Sequence, residues 1–119
     1  MRPMDATLDG YAWLPRLIDK ARASRAGTLG GMVHPCPVDR RCMKLLGVDV
    51  GTLHAIVDRE PTDAGVLSAL RRRGIPTAQE AWFDAPAFEA ELQRASRHRA
   101  SASGPGTDAR SAVGPLITP

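Results

Sequence analysis

Two short stretches hold the side chains with reactive chemistry. In LPRLIDKARASRAG, Leu14 to Gly27, the residues Arg16, Asp19 and Lys20 recur at the spacing of one helical turn. In HPCPVD, His34 to Asp39, Cys36 stands between two prolines, with an imidazole before it and a carboxylate after it. Arg16 and Lys20 would both point at an anion such as a carboxylate or phosphate. Arginine offers a planar bidentate fork and lysine a compact charge. Arg22 adds a third cation on the same helix. Asp19 is placed to orient Lys20 or to act as a base. Cys36 at the start of a helix lies where the dipole and the free N–H groups stabilise a thiolate. Asp39 opposes that by its negative charge, and His34 takes a proton from Cys36 if the turn brings them together. The candidate site is therefore a polar pocket between the first helix and the HPCPVD turn. Its candidate catalytic residues are Cys36, Asp19, Asp39 and His34, and its ligand-binding residues are Arg16, Lys20 and Arg22.

A plainer reading accounts for the same residues. Charges three and four apart stabilise a surface helix by about 0.2–0.5 kcal/mol per pair. A free cysteine commonly packs as a small hydrophobe. Cys36 and Cys42, six apart, make no zinc signature even with His34 nearby, because zinc asks for four ligands in recognisable pairs. No metal is expected and no cofactor is indicated. A nucleophile–base–acid triad, a P-loop and a dinucleotide fingerprint are all absent; GTLGG lacks the flanking strand and helix.

The elements that hold these residues follow from periodicity and caps. Leu14-Pro15 opens a first helix, since proline suits the first helical position. Leu17, Ile18 and Ala21 form its apolar face, Arg16, Asp19, Lys20 and Ala23 the opposite one, and Gly27 ends it. A turn follows, with one short strand near Met32–His34. A second helix runs from Pro37, with Cys36 at or beside its N-cap, to Gly47. Asp49 caps a third, which buries Val50, Leu53, Ile56 and Val57. Thr62 or Asp63 caps a fourth, which buries Val66, Leu67 and Leu70 and ends in RRRG. Thr77 and Glu80 form the capping box of a fifth helix, which Pro86 breaks or restarts. His54, beside the apolar stripe of the third helix, reads as structural.

The fold class is all-α: a small single domain of about five short helices with tight turns. A chain of 119 residues has room for one domain. The expected boundaries are a flexible lead-in over 1–9, the helical domain over 10–94, and a disordered tail over 95–119. Tyr11, Trp13, Trp82, Phe83 and Phe88 are the few large pieces available to an otherwise aliphatic core. The net charge of +3 belongs to the tail: residues 1–92 hold 12 basic and 12 acidic side chains, and 93–119 hold four arginines against Asp108. Nucleic acid is thus an unlikely partner, reached only through the basic tail. No apolar run suits a membrane span or a secretory signal. The expected location is the cytoplasm.

The segments GYAWLPRLIDKARA, AGTLGG and CPVDRRCMKLLGVD together resemble the bacterial domain-of-unknown-function family 5069. That family carries a glycine–aromatic step into L-P-R-x-I-D-K, then a glycine turn, C-P-x-D, and a helix ending in G-[IV]-D. The resemblance spans about Leu8 to Leu92. Three places depart from the pattern. Gly31 and Met32 replace an acid and an aromatic, SALRRR lacks a tryptophan, and the basic-proline lead-in is shortened to MRPMDATLD. The resemblance implies a fold and no reaction. The leading expectation is a small enzyme or ligand-binding protein acting on an anionic metabolite. Behind it stand a protein-interaction module with a protein partner and, third, weak nucleic-acid binding.

Overall fold

The computed structural model describes residues 1–102, with side chains as far as Arg97. Its first element is a β-hairpin that the sequence reading did not foresee. Strands β1 (Thr7–Leu8) and β2 (Tyr11–Ala12) pair antiparallel, Leu8 opposite Tyr11. Asp9 and Gly10 join them with φ of 50° and 87°. Two successive positive φ values match the twist of the strands, and Asp-Gly is a favoured pair for that turn. The strand expected near Met32–His34 does not form. That stretch is turns and irregular backbone, since Gly30 takes a left-handed φ of 64° and Pro35 and Pro37 lack N–H groups for a ladder.

Helix α1 (Leu14–Ala26) carries Pro15 in its first turn and closes on Gly27, whose φ of 73° is open to glycine without strain. Helix α2 (Pro37–Leu46) starts at Cys36 and ends at Gly47. Helix α3 (Val50–Arg59) is capped by Asp49, whose carboxylate accepts the Thr52 N–H at 2.7 Å. Helix α4 (Asp63–Arg72) is capped by the Thr62 hydroxyl, which accepts the Gly65 N–H. Each side-chain cap satisfies an N–H that the helix leaves unpaired.

The fifth helix differs from expectation. The Thr77–Glu80 capping box forms, with both reciprocal hydrogen bonds, yet only turns follow it. Helix α5 runs instead from Ala85 to Ala102. Asp84 accepts the Ala87 N–H at 3.1 Å on its side chain and the Phe88 N–H on its carbonyl. This second cap, followed by Pro86 in the first turn, starts the helix. The chain divides into a compact unit, Met1–Phe88, and a stretch from Glu89 onward that carries most of α5. The tail expected over 95–119 lies, from residue 103, outside the described residues.

The core of the first unit is aliphatic. Leu14, Leu17, Ile18 and Ala21 of α1 pack with Val38, Leu53, Ile56, Val66 and Leu70. Helix α1 is its centre, in contact with β1, α2 and α3, while α4 packs on α3. Trp13 joins the core, whereas Trp82 does not: its side chain is 57% exposed. Among the described residues no helix is long and apolar enough to cross a membrane.

Leu17 is fully enclosed at the centre of this packing. Leu17→Ala should therefore cost about 2–5 kcal/mol through lost burial and residual cavity. Urea denaturation should show a lower midpoint with an unchanged slope.

Candidate functional site

Asp39 organises the site. It sits in the first turn of α2, fully buried. Its Oδ1 accepts the Trp13 indole N–H at 2.8 Å. Its Oδ2 receives the Lys20 ammonium at 2.8 Å, the His34 Nδ1 at 2.9 Å and the Cys36 backbone N–H at 3.0 Å. Four donors from the β2–α1 junction, α1 and the loop before α2 thus converge on one carboxylate. Burial by itself would raise the Asp39 carboxyl. The hydrogen bonds from Lys20, Cys36, Trp13 and His34 outweigh it and hold the group below the usual carboxylate range.

Lys20 is buried as well, at 4% exposure. It follows Leu17 by one turn and so lies at the edge of the apolar face of α1, not on the opposite face expected from sequence. Its Nζ stands 3.2 Å from Cys36 Sγ. The sulfur also accepts the Asp39 N–H at 3.4 Å, completing a capping box in which cysteine takes the place of serine or threonine. Cys36 is half-buried and Cys42 is buried. The apolar surroundings of Cys42 push its thiol well above the ordinary range, with the Asp39 charge adding to the effect.

His34 links Asp39 to His54 on α3. The two Nε2 atoms are 2.9 Å apart. An ionised carboxylate accepts only, so Nδ1 of His34 carries a proton toward Asp39. The Nε2 of a neutral His34 then accepts from His54 Nε2–H. This tautomer assignment follows from the hydrogen-bond pattern. Burial lowers the His54 pKa first, and the neighbouring His34 ring and the Arg25 charge lower it further against the pull of Asp58.

Trp13 holds this geometry at a conformational cost. As the N-cap of α1 it has φ of 68°, a left-handed value that disfavours side chains with a Cβ. The ring is 2% exposed, hydrogen-bonded to Asp39, and faced by the Arg16 and Lys20 cations at 5.5 and 5.9 Å.

Four of the seven residues singled out from sequence, namely Lys20, His34, Cys36 and Asp39, thus meet in one cluster. Of the other three, Arg16 reaches the cluster only at the Trp13 ring, and Asp19 and Arg22 lie elsewhere. Asp19 accepts from the Arg2 backbone N–H at 2.7 Å and the Arg2 guanidinium at 2.8 Å, and the same guanidinium reaches Asp63 and the Pro15 carbonyl. Burial would raise the Asp19 carboxyl, but the Arg2 bonds prevail and hold it low. Arg16 donates to the Arg2 carbonyl at 3.0 Å. Arg22 donates to the Val57 and Glu60 carbonyls at 3.2 and 2.9 Å, covering the C-terminal end of α3, where helix carbonyls lack partners. Trp13 and His54 are the contributors that the sequence reading left out of the site, and Arg2 is the unforeseen partner that draws Asp19 away from it. From sequence Trp13 was read only as a core piece and His54 only as structural.

The sequence profile of the family described as Domain of unknown function (DUF5069) matches residues 1–115. No curated protein matches the chain.

Removing the Asp39 charge should expose how much the cluster depends on it. Asp39→Asn keeps the shape but leaves the buried Lys20 uncompensated, a loss of about 3–5 kcal/mol at neutral pH. An aspartate in the unfolded chain titrates near ~3.9, and the folded-state carboxyl lies lower. The advantage of the parent chain over Asp39→Asn should be full above that unfolded value. It should shrink as pH falls through the lower folded value, because the unfolded state takes up its proton first. Urea titrations of both proteins between neutral pH and strong acid test this.

Proposed function

With the chain belonging to the DUF5069 family, we propose that it is a small thiol-dependent enzyme or ligand-binding domain that acts on an anionic metabolite, with Cys36 as its reacting group. The observation that carries this reading is the Lys20 ammonium, buried and held 3.2 Å from Cys36 Sγ at the N-terminus of α2. An ammonium and a helix N-terminus both favour negative charge, on a sulfur or on an anion brought to it.

Each member of the cluster then has a distinct part. Lys20 supplies positive charge at the sulfur. Asp39 fixes Lys20 and His34 and limits the net charge of the cluster. The His34–His54 pair offers a proton path from the buried carboxylate to the half-exposed edge of α3. Asp19 and Arg22 support the scaffold, since they already serve Arg2 and the end of α3, and Arg16 donates to the Arg2 carbonyl through one terminal nitrogen while its buried Nε has no partner.

One observation favours a second reading, a protein-interaction module. Exposed Trp82 borders a cleft of about 160 Å³, lined also by Met4, Phe83 and Pro86. Tryptophan at the rim of an apolar cleft is a common anchor for a partner. Trp82→Ala should leave the melting temperature nearly unchanged. On this reading it should abolish capture of a partner that Cys36→Ser still retains. A partner held equally by both variants would remove Trp82 from the interface.

The thiol reading has its own test. Iodoacetamide should label Cys36 in the folded chain and reach Cys42 only after denaturation. Small carboxylates and phosphate esters would then be screened by thermal shift. The stabilising compound should lose its effect on Cys36→Ser, which keeps a capping side chain and should melt close to the parent. A hit that survives both labelling and Cys36→Ser would refute the assignment of Cys36.

A further inference from the structure

Cys36 has a second property, which follows from what it can and cannot reach. Oxidation of an accessible thiol gives a sulfenic acid, which condenses with the nearest nucleophile. The usual one is another cysteine. Cys42 cannot serve: six positions along α2 amount to about 9 Å of rise, more than the roughly 7 Å between Cα atoms that a disulfide spans. It is also buried, with Sγ turned to the Ala12 carbonyl at 3.6 Å. The neighbour that is present is the Lys20 amine, 3.2 Å from the sulfur. Its stem is enclosed and its head is held by Asp39 at 2.8 Å, so it has no freedom to swing into solvent.

We infer that Lys20 and Cys36 form a redox modification site, in which peroxide joins Nζ to Sγ through one oxygen atom. The inference rests on the reading of Cys36 as an accessible thiol. One peroxide oxidises the thiol to a sulfenic acid and leaves as water. A second peroxide, with the sulfenic acid and the neutral amine, yields the S–O–NH link and two further waters. In sum the two side chains lose two hydrogens and gain one oxygen, while two peroxide molecules are reduced to three of water. The ammonium proton passes to Asp39 Oδ2, which it already touches. One inserted oxygen bridges a gap close to the observed separation. A direct S–N bond would instead draw Lys20 well away from Asp39. The link would block Cys36 and take the positive charge from beside Asp39, so it would silence the site until a thiol reduces it.

The test treats the full chain with a small excess of hydrogen peroxide and follows intact mass and tryptic peptides, with iodoacetamide labelling of the untreated folded chain in parallel. The expected product is heavier by one oxygen less two hydrogens, with the Lys20 and Cys36 peptides joined. Labelling of Cys36 should be lost and then restored by dithiothreitol. Lys20→Arg, which keeps a cation for Asp39, and Cys36→Ser should both fail to form it. Sulfinic acid on Cys36 with Lys20 free, a loss of two hydrogens without oxygen, or the same product from Lys20→Arg overturns the inference. If the untreated chain labels at Cys36 but no link forms, the link alone is refuted. If Cys36 does not label, the thiol reading falls with it.

Discussion

A carboxylate with no access to water must be compensated by donors, and in this protein that requirement at Asp39 fixes the positions of the surrounding elements. An uncompensated buried charge costs several kcal/mol, a large share of the stability of a domain this size. Here the compensation comes from the Trp13 indole, the Lys20 ammonium, the His34 imidazole and the Cys36 N–H. The left-handed Trp13 is tolerated because its ring is locked in that set. The HPCPVD loop is fixed because two of its donors are committed to one oxygen. The Lys20–Cys36 contact is thus a by-product of neutralising a buried acid: the lysine that pairs with Asp39 comes to rest against the sulfur.

A second carboxylate on the other side of α1 shows the contrast. Asp19 and Arg2 form a hydrogen-bonded pair that remains partly open to water. Through Arg2 the pair joins the first residues of the chain to α1 and to Asp63 at the start of α4. Water shares the solvation of these groups, so the arrangement acts as a fastening between segments. Asp39, cut off from solvent, must find all its partners in the protein, and they become chemically coupled to one another. Two aspartates on neighbouring helices therefore differ in consequence through their access to water.

The helices were legible because each carries its own local signals. Leu17, Ile18 and Ala21 repeat at helical spacing, and Asp49 and Thr62 announce the next starts. The Asp9-Gly10 turn was equally explicit, but strands of two residues give no alternation to read. The Thr77–Glu80 box misled because a valid cap says where a helix can begin, not that it continues; Asp84 and Pro86 supply a competing start a few residues later. Within the site, Cys36 was legible at or beside the N-cap of α2, but Asp39 was read as a charge opposing the thiolate, and the capping box the two form was not. Their meeting with Lys20 and His34 was expected only as a consequence of the turn folding back. The fates of Arg16, Asp19 and Arg22 depended on Arg2 and on the carbonyls of α3, distant partners that no helical periodicity encodes. His54 carried no signal of its own, because its importance comes only from the ring it faces.

The enclosure of Asp39 also determines what the site reveals about itself. Protons on the Lys20 ammonium, the His34 Nδ1 and the Trp13 indole are each hydrogen-bonded to a carboxylate that solvent does not touch. Side-chain N–H protons so held exchange slowly with water, whereas those of surface lysines and histidines vanish into the solvent line of a magnetic resonance spectrum. The three N–H groups that share this one acceptor are therefore the natural spectroscopic reporters of the cluster, and the Lys20 ammonium among them lies against Cys36.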